Sequence, residues 1–243
     1  MPSTAIVAVP QQRTPQRPPA AELRYVTLAT HRLHRHQLVL DKITLTIERG
    51  EVLSVLSRHD AAASTLLDLL DGRAEPSWGS VQVAGREVTR LGHDDLSRLK
   101  HEHIARVLPA YGVQAKLTVR QNLVVAQRRS GRPVDLSWVD RVAALMGLHG
   151  MLGYRSRGGP DARRARWGVA RAMVVRPSLI LANDITAGLP RAEEQDLLAA
   201  LTVAAREVGA GVVLATRDPL TASATDRVLL LKRGRVIDDT AAS

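Results

Sequence analysis

Three short loops in this sequence carry side chains that could do chemistry, and a fourth segment carries concentrated charge. Residues 57–65 read SRHDAAAST, so Ser57, Arg58, His59, Asp60, Ser64 and Thr65 flank a run of alanines. Asn183 and Asp184 follow the apolar run Leu179 to Ala182, and Arg217 follows Val212 to Ala215. Oxygen-bearing side chains can ligate hard cations or move protons, and a guanidinium can hold phosphate. The fourth segment holds Arg155, Arg157, Arg163, Arg164, Arg166 and Arg171. Such a cluster could meet nucleic-acid phosphates, with affinity falling steeply with salt. A solvated helix face is the favoured reading of these arginines.

The elements that must position these residues are legible from their periodicity. Ile43, Leu45 and Ile47 alternate with Thr44, Thr46 and Glu48, a half-buried strand that ends at Arg49-Gly50. Val52 to Leu56 is a short apolar run suited to a buried parallel strand, and Ser64 to Leu70 reads as a helix. The first loop therefore joins a strand to a helix. The stretch from Leu91 to Val175 looks mainly helical; Thr118 with Gln121 three residues on is a capping box. Val139, Val142, Ala143 and Met146 give another helix its apolar face, closed by Gly147. Strand and helix then alternate: Leu179 to Ala182, a helix through Leu197, Leu198 and Leu201, and Val212 to Ala215. A hairpin turning at Arg233-Gly234 closes the chain. The expected fold is α/β, a mostly parallel sheet with flanking helices.

Composition narrows the function classes. At 243 residues the chain can bury one good-sized core, and 45% of it is apolar. No apolar run reaches the ~18 residues of a membrane span. The longest, Val169 to Ala182, is broken by Arg171, Arg176 and Pro177. Contact with a membrane is expected only through a partner. Cysteine is absent, which excludes disulfides and thiolate metal sites. Ala5 to Val9 is too short for the apolar region of a signal peptide and no Lys or Arg precedes it, so cytoplasmic residence is expected. Residues 1–20, with Pro2, Pro10, Pro15, Pro18 and Pro19, read as a disordered tail. The net charge of +10 comes from 34 Lys and Arg, of which only Lys42, Lys100, Lys116 and Lys232 are lysine. Charge alone says little about partners, and without Phe there is no aromatic platform for single strands.

The order and spacing of several stretches carry a resemblance: ITLTIERGE, STLLDLLDG, PSWGSVQVAGREVTRL, KLTVRQNL, ARAMVVRPSLILA and DRVLLLKRGRVID. Together they resemble the ATP-binding subunit of an ABC transporter, most nearly the subfamily serving lipoprotein-release and macrolide-export type permeases. The resemblance covers Leu23 to Asp239. It implies a P-loop NTPase-like sheet, an N-terminal antiparallel β subdomain and an inserted helical subdomain. The helical part would run over about 91–165 of a domain spanning 21–243. It also implies ATP and Mg²⁺ as cofactors, and as partners a permease or a second ATP-binding subunit forming a dimer.

Residue by residue, the chemistry departs from that pattern. In the phosphate loop Ser57 and Ala62 stand where glycines belong, and Ala63 stands where the lysine belongs. Forcing an L-residue to positive φ costs ~1 kcal/mol. The carboxylate of Asp60 at ~4 Å from a phosphate would cost about 1–4 kcal/mol more. Ser64 remains as a Mg²⁺ ligand or, equally, a helix N-cap. Asn183 keeps an oxygen for Mg²⁺ without the charge, and Asp184, one methylene short of the family's Glu, is the best remaining base. Pro109 replaces the glutamine that senses Mg²⁺ and the attacking water, Arg217 the histidine on the γ-phosphate, and Pro190 the aspartate that speaks across the dimer. Thr30 falls near the aromatic that stacks on adenine. The signature becomes Gly159, Pro160, Asp161, Ala162 and Arg163, with Ser156 to Gly159 resembling a displaced copy.

The resemblance thus implies a cassette whose ATP site is degenerate, a non-catalytic subunit docking through Val107 to Asn122 with Gly112 to Lys116 as the exposed loop. Two alternatives stand beside it. In one, Arg58, Asp184 and Arg217 take over the lost roles in a weakly active ATPase. In the other, the arginines bind nucleic acid, the less favoured partner.

Overall fold

A computed structural model describes residues 17–32, 35–58, 61–107, 113–155 and 162–241, with the side chains of 30–32, 35–37, 162 and 241 excepted. Two sheets share the chain. The first is antiparallel, in the order β2–β1–β4–β5, built from β1 (Ala21–Arg32), β2 (Arg35–Ile47), β4 (Trp78–Val83) and β5 (Arg86–Glu87). The second has the order β10–β9–β3–β8–β7–β6 and contains β3 (Val52–Leu56), β6 (Ile104–Val107), β7 (Leu179–Asn183), β8 (Gly211–Thr216), β9 (Arg227–Lys232) and β10 (Arg235–Ala241). Its pairings are parallel except β9 with β10. The helices are α1 (Ala62–Leu70), α2 (His93–His103), α3 (Val119–Arg129), α4 (Leu136–Leu145), α5 (Ala162–Met173), α6 (Arg191–Val208) and α7 (Pro219–Ser223).

The parallel strands are apolar on both faces because both are covered. Val52, Ile180, Ala182, Val212 and Leu214 point into a core shared with α3 to α6. Leu53, Val55, Leu179, Leu181, Val213 and Ala215 point into a second core. That second core joins the main sheet to α1 and to the antiparallel sheet through Leu66, Leu67, Leu23 and Val81. The period of two along each strand thus serves two cores at once.

Gly211, at the start of β8, lies where the two sheets come closest. A Cβ there would sit 2.5 Å from the Ala20 Cβ and 2.7 Å from the Glu48 carbonyl oxygen. Two of the hairpin turns, Ala84-Gly85 and Arg233-Gly234, have positive φ at their two central residues, as a type I′ turn demands.

The stretch expected to be mainly helical from Leu91 holds one strand, β6, at the edge of the parallel sheet beside β7. Four residues suffice there because the sheet supplies the partner. The capping box at Thr118 is present, with the Gln121 N–H donating to Thr118 Oγ1 and the Thr118 N–H donating to Gln121 Oε1. Behind it, buried Asn122 fastens the preceding loop. Its Oδ1 accepts from the Gln114 N–H at 2.8 Å, and its Nδ2 donates to the carbonyls of Gln114, Leu117 and Thr118.

Candidate functional site

The parallel register brings three of the loops picked out by sequence to one edge. Leu56 pairs with Thr216, and Asn183 pairs with Ala215, so β3, β8 and β7 end side by side. Ser57, Arg217 and Asp184 follow these ends directly, and Asn183 is the last residue of β7. Ligands of open α/β sheets bind at this carboxyl edge.

The described part of the loop after β3 comprises Ser57, Arg58 and Ala61, which leads into α1. Ser57 is buried and its N–H donates to the Thr216 carbonyl at 3.2 Å, while Arg58 is exposed. His59 and Asp60 lie outside the described residues. Helix α1 begins at Ala62 with Ala61 as its N-cap residue and no side-chain cap, so the expected cap at Ser64 is corrected. Alanines are strong helix formers and start the helix two residues earlier than the sequence reading placed it. Ser64 then falls inside the first turn, where its Oγ donates back to the Ala61 carbonyl at 2.9 Å. Thr65 is half-buried and its N–H also donates to Ala61. Ala62 is fully buried and Ala63 is 6% exposed, both within the apolar core around α1.

Asn183 is exposed at the end of β7, and Asp184 is half-buried with φ of +46°. Positive φ is uncommon outside glycine, and Asp is among the residues that tolerate it. The turn is held because the Asp184 N–H donates to Ala215 and its carbonyl accepts from Ala187.

Asp184 and Arg217 line one cleft of about 410 Å³, together with Arg191, Glu194, Asp218 and Thr221. The described residues of the 57–65 loop do not line it. The last four residues were missed by sequence reasoning. Arg191 Nη1 lies 2.6 Å from both Glu194 Oε2 and Asp218 Oδ2. Thr221 Oγ1 donates to Glu194 Oε1 and to Asp218 Oδ2. Two signals pointed to them: Arg191 and Glu194 at i,i+3 spacing, and Asp218-Pro219 as an N-cap followed by proline.

Asp218 titrates low, at about 2, chiefly because Arg191 donates to its carboxylate, with help from the Leu220 N–H and the Thr221 hydroxyl. The folded value lies below the ~3.9 of an unfolded Asp. Its stabilisation is therefore complete above about pH 4 and lost as pH falls through about 2. The side chain is 39% exposed, so solvent keeps the energy small. Arg191→Gln is expected to raise the Asp218 pKa toward the ordinary value, read by carboxyl NMR titration. An unmoved value would mean that the Leu220 and Thr221 bonds hold the carboxylate by themselves.

Pro109, Gly112 and the altered signature at 156–161 lie outside the described residues, as does the Thr30 side chain. Gln114, Ala115 and Lys116 of the expected docking loop are exposed. The arginine cluster divides. Arg155 and Arg163 are exposed, as a solvated face requires. Arg166 instead donates to the Met146 carbonyl at the C-terminal end of α4, and Arg171 is half-buried. A positive side chain at a helix C-terminus is favoured by the helix dipole.

A model of the family described as ABC transporter matches residues 40–187, more than half of the chain. The chain belongs to the ABC transporter family. Three relatives of this ABC-family chain are informative. It is 32% identical to the methionine import ATP-binding protein MetN of Mesorhizobium japonicum over 82% of its own length and 55% of that protein's. It is 32% identical to the macrolide export ATP-binding/permease protein MacB 1 of Aeromonas hydrophila, covering 83% of this chain and 31% of that one. It is 27% identical to the bacitracin export ATP-binding protein BceA of Halalkalibacterium halodurans, covering 82% and 80%. The chain thus spans about half or less of the first two relatives. A dimeric ATP-binding cassette in a post-hydrolysis state with ADP and Pi has the same fold, with a TM-score of 0.77 at 21% identity over 92% of this chain and 99% of that one. So does cbiO1 from Clostridium perfringens, with a TM-score of 0.79 at 19% identity, covering 93% and 89%. Among the described residues, no helix of this ABC-family chain is long and apolar enough to cross a membrane.

Proposed function

We propose that this chain is a non-catalytic ATP-binding-type subunit of a membrane transport complex. It works beside an active second ATP-binding subunit, or directly on a permease, from the cytoplasmic face of the membrane. We assign it to the lipoprotein-release and macrolide-export type. That finer assignment rests on the quoted sequence stretches, since the methionine-import and macrolide-export relatives are both 32% identical. The domain would span 21–243. Its helical part, about 91–165 and interrupted by β6, would meet the permease through Val107 to Asn122.

The observation that carries the reading is the start of α1. Where the family's lysine would neutralise phosphate charge, Ala63 is buried in the apolar core, and no cation stands among Ala61 to Thr65. The residues present do not fit ATP with Mg²⁺. Ser64 spends its hydroxyl on Ala61, and Asn183 offers only a neutral oxygen. Asp184, Glu194 and Asp218 bring three carboxylates to the cleft against the two guanidiniums of Arg191 and Arg217, a balance that leaves it net negative toward phosphate.

The purified chain is expected to show no rise in melting temperature with millimolar Mg-ATP. A nucleotide at ~100 times its dissociation constant would stabilise the fold by ~2.7 kcal/mol, a shift that is easily read. Ala63→Lys alone is expected to restore neither binding nor turnover, because Ser57 and Ala62 stand at loop glycine positions and Asn183 and Asp184 at the acidic pair as well. A clear shift in the unmodified chain, with phosphate release, would overturn the proposal. It would favour instead weak ATP hydrolysis by Arg58, Asp184 and Arg217. That second reading draws on the cleft shared by Asp184 and Arg217. Nucleic acid is not proposed as a partner, since Arg166 is committed to the Met146 carbonyl.

A further inference from the structure

A second cavity, of about 160 Å³, opens between α2, β6, α3 and α5. Lys100, His101, Arg106, Arg129 and Arg171 line it, and no carboxylate is among its described lining residues. Arg106 is already matched, since its Nη1 lies 2.8 Å from Asp68 and 2.9 Å from Asp71. The nearest carboxylate to Lys100 is that of Asp71, at 3.9 Å. Arg171 is the least satisfied. Its Nε is buried with no hydrogen-bond partner, and burial together with the positive charge of Arg129 pushes its pKa down.

Helix dipoles do not close this account. Arg129 and Arg171 each stand in the last turn of a helix, α3 and α5. Each helix end supplies about half a negative charge. Together they offset about one of the two positive charges, on Arg129 and Arg171, that meet no carboxylate among the described lining residues. A buried guanidinium nitrogen without an acceptor is costly. An anion with several acceptor oxygens would answer the charge of the guanidinium groups that line the cavity.

We propose that this cavity binds a phosphate-sized oxyanion, held by Arg129 and Arg171 with Lys100 at its edge. Its volume lies well under the ~300–1,000 Å³ of pockets that enclose drug-sized ligands, so a single phosphate group fits and a whole nucleotide does not. Bound there, the anion links the Arg129 and Arg171 side chains of α3 and α5, with Lys100 of α2 beside it. It does so away from the cleft that holds Asp184.

The test is calorimetric titration of the full chain with inorganic phosphate, against chloride of matched ionic strength. Saturable binding at one site is expected. Arg129→Gln, at an exposed position that leaves the fold intact, is expected to weaken it by about tenfold to a hundredfold, the worth of one charged hydrogen bond. Arg128→Gln, on the preceding residue but outside the cavity lining, is expected to change it less than twofold. A competition arm with ATP separates the sources of the phosphate. Competition that Arg129→Gln removes identifies the phosphate of a larger ligand, and its absence identifies the free ion. No saturable heat with phosphate, or equal weakening by the two variants, would sink the proposal by leaving only diffuse positive charge.

Discussion

Gly211→Val is expected to destabilise the chain by about 3 kcal/mol or more, at the upper end of what overpacking a filled interior costs. Three groups crowd the position: the Ala20 Cβ at 2.5 Å, the Glu48 carbonyl oxygen at 2.7 Å and the Ile47 Cγ2 at 3.0 Å. They come from the entry to β1 and the exit from β2, while Gly211 opens β8 in the other sheet. A branched side chain would have to push the two sheets apart. With a total folding free energy of about 5–15 kcal/mol, such a loss is a large share. Urea denaturation should show a lower midpoint at an unchanged slope, with Gly211→Ala between the two. An unchanged midpoint for the valine variant would show that the first strand does not lie against β8 in solution.

Arg106→Leu is expected to cost about 3 kcal/mol. The Arg106 side chain is 17% exposed and that of Asp71 only 7%, and they meet at 2.9 Å. Removing the guanidinium leaves a buried carboxylate short of its main partner. Arg73, 2.8 Å from Asp71 but 53% exposed, limits the damage. Removing both ends of a buried pair costs less than removing one, so Arg106→Leu with Asp71→Leu should recover much of the loss. A double-mutant cycle read by denaturant unfolding gives the coupling. Strict additivity of the two changes would mean that the pair contributes no interaction energy.

The fold was legible wherever local chemistry and tertiary demand agreed. The alternation of Ile43, Leu45 and Ile47, the capping box at Thr118 and the turn at Arg233-Gly234 each state their own structure. Strand β6 was hidden because Ile104 to Val107 directly follows a charged helix and has too few residues to show a period. At the site, parallel pairing explains why Ser57, Asp184 and Arg217 share an edge, and the alternation of elements already implied it. The Ser64 cap failed because propensity at Ala61 to Ala63 moved the helix start. The positive φ of Asp184 and the joint of Arg191 with Glu194, Asp218 and Thr221 depend on a turn and a helix meeting in space. No window of sequence contains both.

Asn122 has a consequence for association rates and affinities. Its four hydrogen bonds hold Gln114 to Thr118 in place before any partner arrives. Ordering an interface side chain on binding costs ~0.5–1.5 kcal/mol, and a segment already ordered avoids most of that. A partner landing on Gln114, Ala115 and Lys116 would therefore meet a preorganised surface. Loosening that surface through buried Asn122 would weaken such docking while leaving Gln114, Ala115 and Lys116 themselves unchanged.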